Sequence, residues 1–124
     1  MAFSVVSPVA AAPKPAEQSG IKRQILSKDE ASIPGYDVIL AQSEIPAGGR
    51  EGRHTHPGLI TVYVLRGELT LDCEGKPTTT YKPGDGFTVE PGKVHEGRNT
   101  GSGPITMLVT FVVKKGMPIL IPAR

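Results

Sequence analysis

Short stretches in which apolar and polar residues alternate predict a chain made of β-strands. The clearest stretch is residues 105–113, where every second residue is apolar: Ile105, Met107, Val109, Phe111 and Val113. Successive side chains of a strand point to opposite faces, so this period of two is typical of a strand with one buried face. Further strands are predicted over 36–45, 53–56, 59–65, 68–73, 78–82, 87–90 and 94–98, and a last short one near Ile119.

Turn-forming residues separate these stretches. The chain has 15 glycines and 12 prolines, and pairs such as Pro57-Gly58, Pro83-Gly84 and Pro91-Gly92 stand between the predicted strands. Proline breaks the interior of a helix, whereas short strands joined by turns accommodate it. The sequence therefore predicts an all-β fold, an antiparallel barrel or sandwich, with an interior that holds side chains and a small ligand.

The first twenty residues differ from the rest of the chain. The 124 residues suit one domain, but residues 1–20 are rich in Ala and Pro and carry only Lys14 and Glu17 as charged groups. Two interpretations stay open: a flexible tail, or the remnant of an export signal that lacks the usual positive residues before its apolar stretch. A tail favours the cytoplasm, and a signal remnant favours the periplasm or export. We expect residues 21–124 to form the single domain.

The charge pattern argues against two classes of partner. The chain has 14 basic and 12 acidic residues, a net charge of +2, and no basic stripe, which disfavours nucleic acid. No apolar run approaches the roughly 20 residues of a membrane-spanning helix. A single cysteine, Cys73, excludes an internal disulfide, and its strand parity with Leu69 and Leu71 predicts a small buried apolar residue.

The three histidines are the candidate chemical groups. His54 and His56 are separated by one residue, so in a strand both imidazoles point to the same face, as two ligands of one metal ion require. His95 lies in another predicted strand about forty residues later, and a barrel can bring it beside the pair. A His-x-His pair alone is weak support, but glycines and prolines frame both segments at regular spacing.

These segments resemble the two motifs of the cupin superfamily. The stretch GGREGRHTHPGLITVYVLRG, which ends at Gly67, is similar to the first motif, and GDGFTVEPGKVHEGRN, residues 84–99, is similar to the second. The resemblance spans about residues 36–113 and is to small single-domain members. It implies a double-stranded β-helix or jelly-roll barrel, usually dimeric, and carries over His54, His56 and His95 as ligands of one divalent metal ion.

Two positions depart from the cupin motifs. The glutamate that often supplies a fourth ligand would fall at position 60, where this chain has Ile60, and Glu90 stands where the second motif has proline. Three neutral imidazoles would leave the ion its full positive charge, which a glutamate ligand would reduce. Compared with a site that has this glutamate, we expect the ion to be a stronger Lewis acid, to be bound more weakly and to have one more open coordination position. Imidazole ligands suit Fe, Zn, Mn, Ni or Cu, and the sequence does not select among them. Ile60 favours a partly apolar ligand.

Several residues are weaker candidates for the site. Glu51 precedes the histidine pair across Gly52 and could fold inward, Tyr63 and Glu90 are further candidates, and Glu96 is expected to point away from the site. Four apolar side chains are candidates for the cavity floor, although plain core packing is the favoured role for most of them: Phe87, Met107, Val109 and Phe111. Asn99 is expected to hold a turn through hydrogen bonds of its side chain.

Three functional hypotheses follow from these residues. The first is a metal-dependent enzyme, an oxygenase or isomerase acting on a small organic molecule. The second is a module that binds metal and a small ligand without turnover, as a sensor or carrier, because no general acid or base can be named with its geometry. The third is a barrel with an empty site. We expect a homodimer in each case.

Overall fold

The computed structural model describes residues 20–124, in which every regular element is a β-strand. The predicted tail or signal remnant, residues 1–20, lies outside the described residues except for Gly20. No helix among residues 20–124 is long and apolar enough to cross a membrane. The ten strands are β1 (Lys22–Glu30), β2 (Tyr36–Ile45), β3 (Arg50–Thr55), β4 (Gly58–Arg66), β5 (Leu69–Cys73), β6 (Thr79–Tyr81), β7 (Gly86–Val89), β8 (His95–Asn99), β9 (Ile105–Lys114) and β10 (Ile121–Pro122).

The strands form two five-stranded antiparallel sheets that enclose one interior. The first sheet has the order β1-β2-β9-β4-β7, and the second has the order β10-β3-β8-β5-β6. The hydrogen-bonded ladders stay within each sheet, so the interior lies between two facing sheets and not inside one continuous ring. This is the jelly-roll form of the expected all-β fold.

The alternating residues of β9 form the centre of the core. β9 lies between β2 and β4, and its inward side chains are each 5% exposed or less, as the period of two predicts: Ile105, Met107, Val109, Phe111 and Val113. β4 approaches β9 closely at Gly58, where a Cβ atom would lie 1.9 Å from the carbonyl oxygen of Val112. Cys73 is buried and free, as predicted.

The first strand is absent from the sequence prediction. β1 has the sequence KRQILSKDE, which does not alternate, and Arg23 is its only residue that is even half-buried. It is held instead by antiparallel pairing with β2, which runs from Lys22↔Glu44 to Glu30↔Asp37. An edge strand of this kind depends on its neighbour's backbone, and hydrophobic periodicity does not reveal it.

Asn99 joins the end of β8 to the end of β2. Its amide nitrogen donates to the carbonyl oxygens of Ile45, Pro46 and Gly103 at 2.8–3.1 Å, and its side-chain oxygen accepts from the Gly101 backbone N–H at 3.0 Å. The prediction that this side chain holds a turn is confirmed. Because Ile45 belongs to the first sheet and Asn99 to the second, the same bonds also tie the two sheets together.

Candidate metal centre

The structure brings the three histidines together inside the fold. His54 lies in β3, His56 follows the end of that strand, and His95 is the first residue of β8, directly paired with His54. All three side chains are at most 4% exposed. Their ring centroids are 4.1 to 5.0 Å apart. The expectation that the fold places His95 beside the pair is confirmed.

One nitrogen of each ring is bonded to a backbone carbonyl oxygen. Nδ1 of His54 bonds to Gly52, Nδ1 of His56 to Ile119 at 2.5 Å, and Nδ1 of His95 to Lys93 at 2.9 Å. A carbonyl oxygen only accepts, so each Nδ1 carries the proton and donates it. Each neutral ring therefore keeps the lone pair on Nε2, the tautomer that a metal-ligating histidine needs.

Burial keeps two of these imidazoles uncharged at neutral pH. The pKa of His56 is lowered from 6.5 to about 4, mainly by burial and further by the neighbouring His54 and His95, while the Ile119 carbonyl and the charge of Glu51 oppose this shift. Burial also lowers the pKa of His95, with His54 as the next cause. A neutral imidazole has a free lone pair, so both rings are ready to coordinate a cation.

The donor atoms of the three rings fit a single metal ion. One nitrogen from each ring can be chosen so that all three lie within 4.8 Å of one another. Ligand nitrogens that are each about 2.1 Å from a tetrahedral zinc ion lie roughly 3.4 Å apart. Binding of one ion therefore requires the rings to move closer together than they lie here. Nε2 of His54 is buried without a hydrogen-bond partner among residues 20–124, and a bound cation would satisfy it.

A mainly apolar cavity opens beside the histidines. Its non-atom space is about 430 Å³ including open solvent, of which only about 30 Å³ admits the centre of a water-sized sphere, and His56 and His95 are among its lining residues. The predicted floor residues Phe87, Met107, Val109 and Phe111 all line it, and the ring of Phe111 meets that of His56 at a centroid distance of 5.5 Å. A small apolar cavity with a few converging polar groups is typical of a small-molecule site.

A bulge in β3 brings Glu51 to the same end of the cavity. Between Glu51 and His54 the register with β8 shifts, and the Glu51 carboxylate lies 4.0 Å from Nε2 of His54. The same carboxylate accepts a 2.6 Å hydrogen bond from the guanidinium of Arg23. The sequence made Glu51 only a weaker candidate, because regular strand alternation would have pointed it outward.

The remaining weaker candidates bring no charge to the site. Ile60 is 4% exposed and lines the cavity, so the position of the motif glutamate does face the site but carries no charge. Tyr63 is 48% exposed and Glu90 is also exposed, so neither side chain places a titratable group in the cavity. Glu96 alternates with the buried His95 and Gly97 in β8, which agrees with its expected outward orientation.

Arg23 and Ser43 are site residues that the sequence analysis missed. They pair directly between β1 and β2, and both line the cavity. Arg23 Nε and Ser43 Oγ are buried without a hydrogen-bond partner in the described part of the chain. Neither belongs to a motif, and the only sequence signal for Ser43 is its alternation with Ala41 and Ile45 in β2. Unpartnered buried polar atoms in a cavity indicate that a ligand or water completes their bonding.

Comparison with known proteins agrees with this fold. The model of the cupin domain matches residues 41–113, more than half of the chain. Germin-like protein subfamily 2 member 2 of Arabidopsis thaliana is 36% identical over 87 residues, which are 64% of this chain and 40% of that protein. The chain thus spans about two fifths of the length of the curated relatives that it matches.

Solved structures share the architecture at low identity. A protein with a double-stranded β-helix domain from Klebsiella pneumoniae has a TM-score of 0.67 and 21% identity, covering 90% of both chains. The DMSP lyase DddQ from Ruegeria pomeroyi has a TM-score of 0.62 and 24% identity, covering 69% of this chain and 43% of its own. On its motifs, its two facing sheets and the match to the domain model, the chain belongs to the cupin family.

Proposed function

We propose that this protein binds one divalent metal ion through His54, His56 and His95 and acts with it on a small, partly apolar organic molecule, as an oxygenase or isomerase. The observation that carries the proposal is the arrangement of the imidazoles. All three donate Nδ1–H to backbone carbonyls, which leaves the Nε2 lone pairs of the neutral rings free for one ion, and His56 and His95 line the apolar cavity. An ion held there would act as a Lewis acid or a redox centre, depending on the metal.

The residues of the chain restrict which molecule can enter. Ile60, Val62 and Met107 make the walls apolar, so burial of a hydrocarbon body favours binding. The polar groups lie at the histidine end and around Arg23 and Ser43. A ligand with an apolar body and one oxygen-bearing head would suit this cavity. Its body would contact the apolar walls and exclude water, and its head would bond to the polar groups.

Metal analysis of the protein tests the metal site. Protein purified without a histidine tag should contain close to one equivalent of a divalent metal. The His54→Ala variant should lose most of this metal, because the two remaining imidazoles bind an ion far more weakly than three do. Thr55→Ala is the matched control, because Thr55 lies between the two ligands but alternates to the other face of β3. Equal metal content in the wild type and His54→Ala would overturn the proposal.

A second candidate function is binding without turnover. Among the cavity-lining residues Glu51 is the one carboxylate in the described chain, and its bond to Arg23 engages it. A metal site without a free acid or base suits a sensor or carrier. Oxygen uptake by iron-loaded protein with small apolar acids, alcohols or ketones would support the oxygenase, and conversion of such a molecule without oxygen uptake would support the isomerase. Saturable binding of these molecules without turnover would favour the second function.

The homodimer expected from the sequence remains a proposal. Leu59, Tyr63 and Leu65 alternate along the outward side of β4 and are each 37–48% exposed. Burial of this side against a second copy would remove apolar area from water. Light scattering over a hundredfold dilution should give twice the chain mass, and a monomeric mass at every concentration would contradict the dimer.

A further inference from the structure

We propose that Glu51 supplies the carboxylate of the metal centre, from the strand that carries two of the histidines and not from the usual position on β4. The inference rests on the metal site proposed above and adds a ligand to it. At the usual position Ile60 faces the cavity without a charge. Glu51 is the carboxylate that lies at the same end of the cavity as the imidazoles in the described structure.

The bulge in β3 explains how Glu51 reaches the centre. Glu51 pairs with Gly97 and His54 pairs with His95, so three steps along β3 correspond to two along β8. The extra residue reverses the alternation, and Glu51 and His54 come to lie on the same face. The bulge also places the carbonyl of Gly52 where it accepts the Nδ1 proton of His54. One irregularity thus orients both a ligating ring and a carboxylate.

The facing atoms of His54 and Glu51 are placed to share a cation. In the neutral ring whose proton is on Nδ1, Nε2 of His54 carries a lone pair and faces an acceptor 4.0 Å away, the Glu51 oxygen that accepts from Arg23. Two acceptors cannot bond to each other. The His54 nitrogen is fully buried and has no hydrogen-bond partner within residues 20–124. A divalent ion that both atoms ligate would satisfy this nitrogen. The donor atoms that already lie within 4.8 Å of one another belong to the three imidazoles and not to Glu51, so the carboxylate must move closer to His56 and His95 when the ion binds.

Arg23 acts as the positioning residue for this carboxylate. Its guanidinium lies 2.6 Å from the Glu51 oxygen, and both side chains are less than a quarter exposed. A mostly buried carboxylate is costly unless it is paired, and the ion pair holds it beside His54 when no metal is bound. Arg23 comes from β1, so the edge strand without hydrophobic alternation has a role in the site.

The test compares metal affinity and ligand field in Glu51→Gln and in a matched control. Titration with Zn²⁺ should show about tenfold to hundredfold weaker binding to Glu51→Gln. The visible spectrum of the Co²⁺-loaded variant should change, because an amide replaces a charged ligand. Glu96→Gln removes the same charge beside His95 but on the outer side of β8, and should leave affinity and spectrum unchanged.

Two further variants keep the test decisive. Glu51→Gln combined with Ile60→Glu should recover much of the Zn²⁺ affinity, since position 60 faces the same cavity. Arg23→Gln should weaken Zn²⁺ binding less than Glu51→Gln and keep the Co²⁺ spectrum, because the carboxylate remains. If the wild type binds no Zn²⁺, the proposed function fails. If the wild type binds it and Glu51→Gln matches it in affinity and spectrum, only the role of Glu51 is wrong.

Discussion

The two sheets contribute different things to the same interior. The second sheet carries β3 and β8, which hold Glu51, His54 and His95, and His56 follows the end of β3. The first sheet contributes most of the apolar wall, from β4, β7 and β9: Ile60, Val62, Phe87, Met107, Val109 and Phe111. One sheet therefore supplies the chemistry of the site, and the other mainly determines the shape and polarity of the space in front of it.

One ladder behind the apolar wall and the ladder that carries the ligands differ in regularity, although the first sheet has register shifts of its own in β1–β2 and β4–β9. β2 and β9 pair at ten consecutive positions without a shift, whereas β3 and β8 pair around a bulge. A regular ladder keeps every apolar residue on the buried face, which a wall requires. A bulge lets residues of opposite parity share a face, which a cluster of ligands requires. Substitutions in the apolar wall should thus change stability, and substitutions of the ligands or of the groups that orient them should alter metal binding.

The largest expected effect is on the stability of the wall. Phe111→Ala removes a side chain that is 1% exposed from the centre of β9 and should lower the free energy of unfolding by about 3–5 kcal/mol. Met107→Leu, which nearly conserves volume in the same strand, should cost less than about 1.5 kcal/mol. Urea denaturation of the metal-free proteins measures both. Similar losses for the two variants would mean that packing does not dominate this sheet.

The next effect concerns the connection between the sheets. Asn99→Ala removes the donor that bonds to three carbonyl oxygens, and should cost about 2–3 kcal/mol because these acceptors lose their partner in a buried site. Asn99→Asp keeps the acceptor for Gly101 but turns an oxygen toward those carbonyls, so we expect at least the same loss. Thermal unfolding followed by circular dichroism tests this, and a fully stable Asn99→Asp would contradict it.

A smaller effect on metal affinity is expected from C-terminal truncation, and two truncated chains distinguish the role of the Ile119 carbonyl from that of β10. A chain that ends at Pro118 lacks the carbonyl of Ile119 that fixes the His56 ring. Losing such an orienting partner typically weakens metal binding by about tenfold to hundredfold. A chain that ends at Leu120 loses β10 but keeps that carbonyl, and should bind more tightly than the shorter one. Zn²⁺ titration of both truncated chains checks this, and equal affinities would show that the Ile119 carbonyl does not orient the ligand.

The smallest effect is expected at Cys73. It is buried and pairs with His95 across β5 and β8, but it lies outside the histidine group. Cys73→Ala should cost about 1 kcal/mol of stability and leave Zn²⁺ affinity unchanged, because the thiol acts here as a small apolar side chain. A loss of affinity on this substitution would extend the metal centre to the thiol.

Residue patterns within single strands predicted much of the fold and of the candidate site. The alternation in β9 predicted its buried face. The His-x-His spacing predicted that His54 and His56 point the same way, and both rings are buried although His56 lies just beyond the end of β3. Strand β1 was missed, because its stability comes from pairing with β2 and not from an apolar face of its own. The inward orientation of Glu51 was only a weaker hypothesis, since it depends on a register shift between two strands that are far apart in sequence.

The sequence by itself determined the all-β fold, the cupin motifs and the identity of the candidate ligands. These follow from spacing within one strand and from turn residues, which act over a few residues. Only the tertiary structure decided that Arg23 reaches Glu51, that Ser43 faces the cavity and that the Ile119 carbonyl orients His56. The first and last of these contacts join residues 28 and 63 positions apart, and their geometry depends on how the strands pair and how the sheets pack.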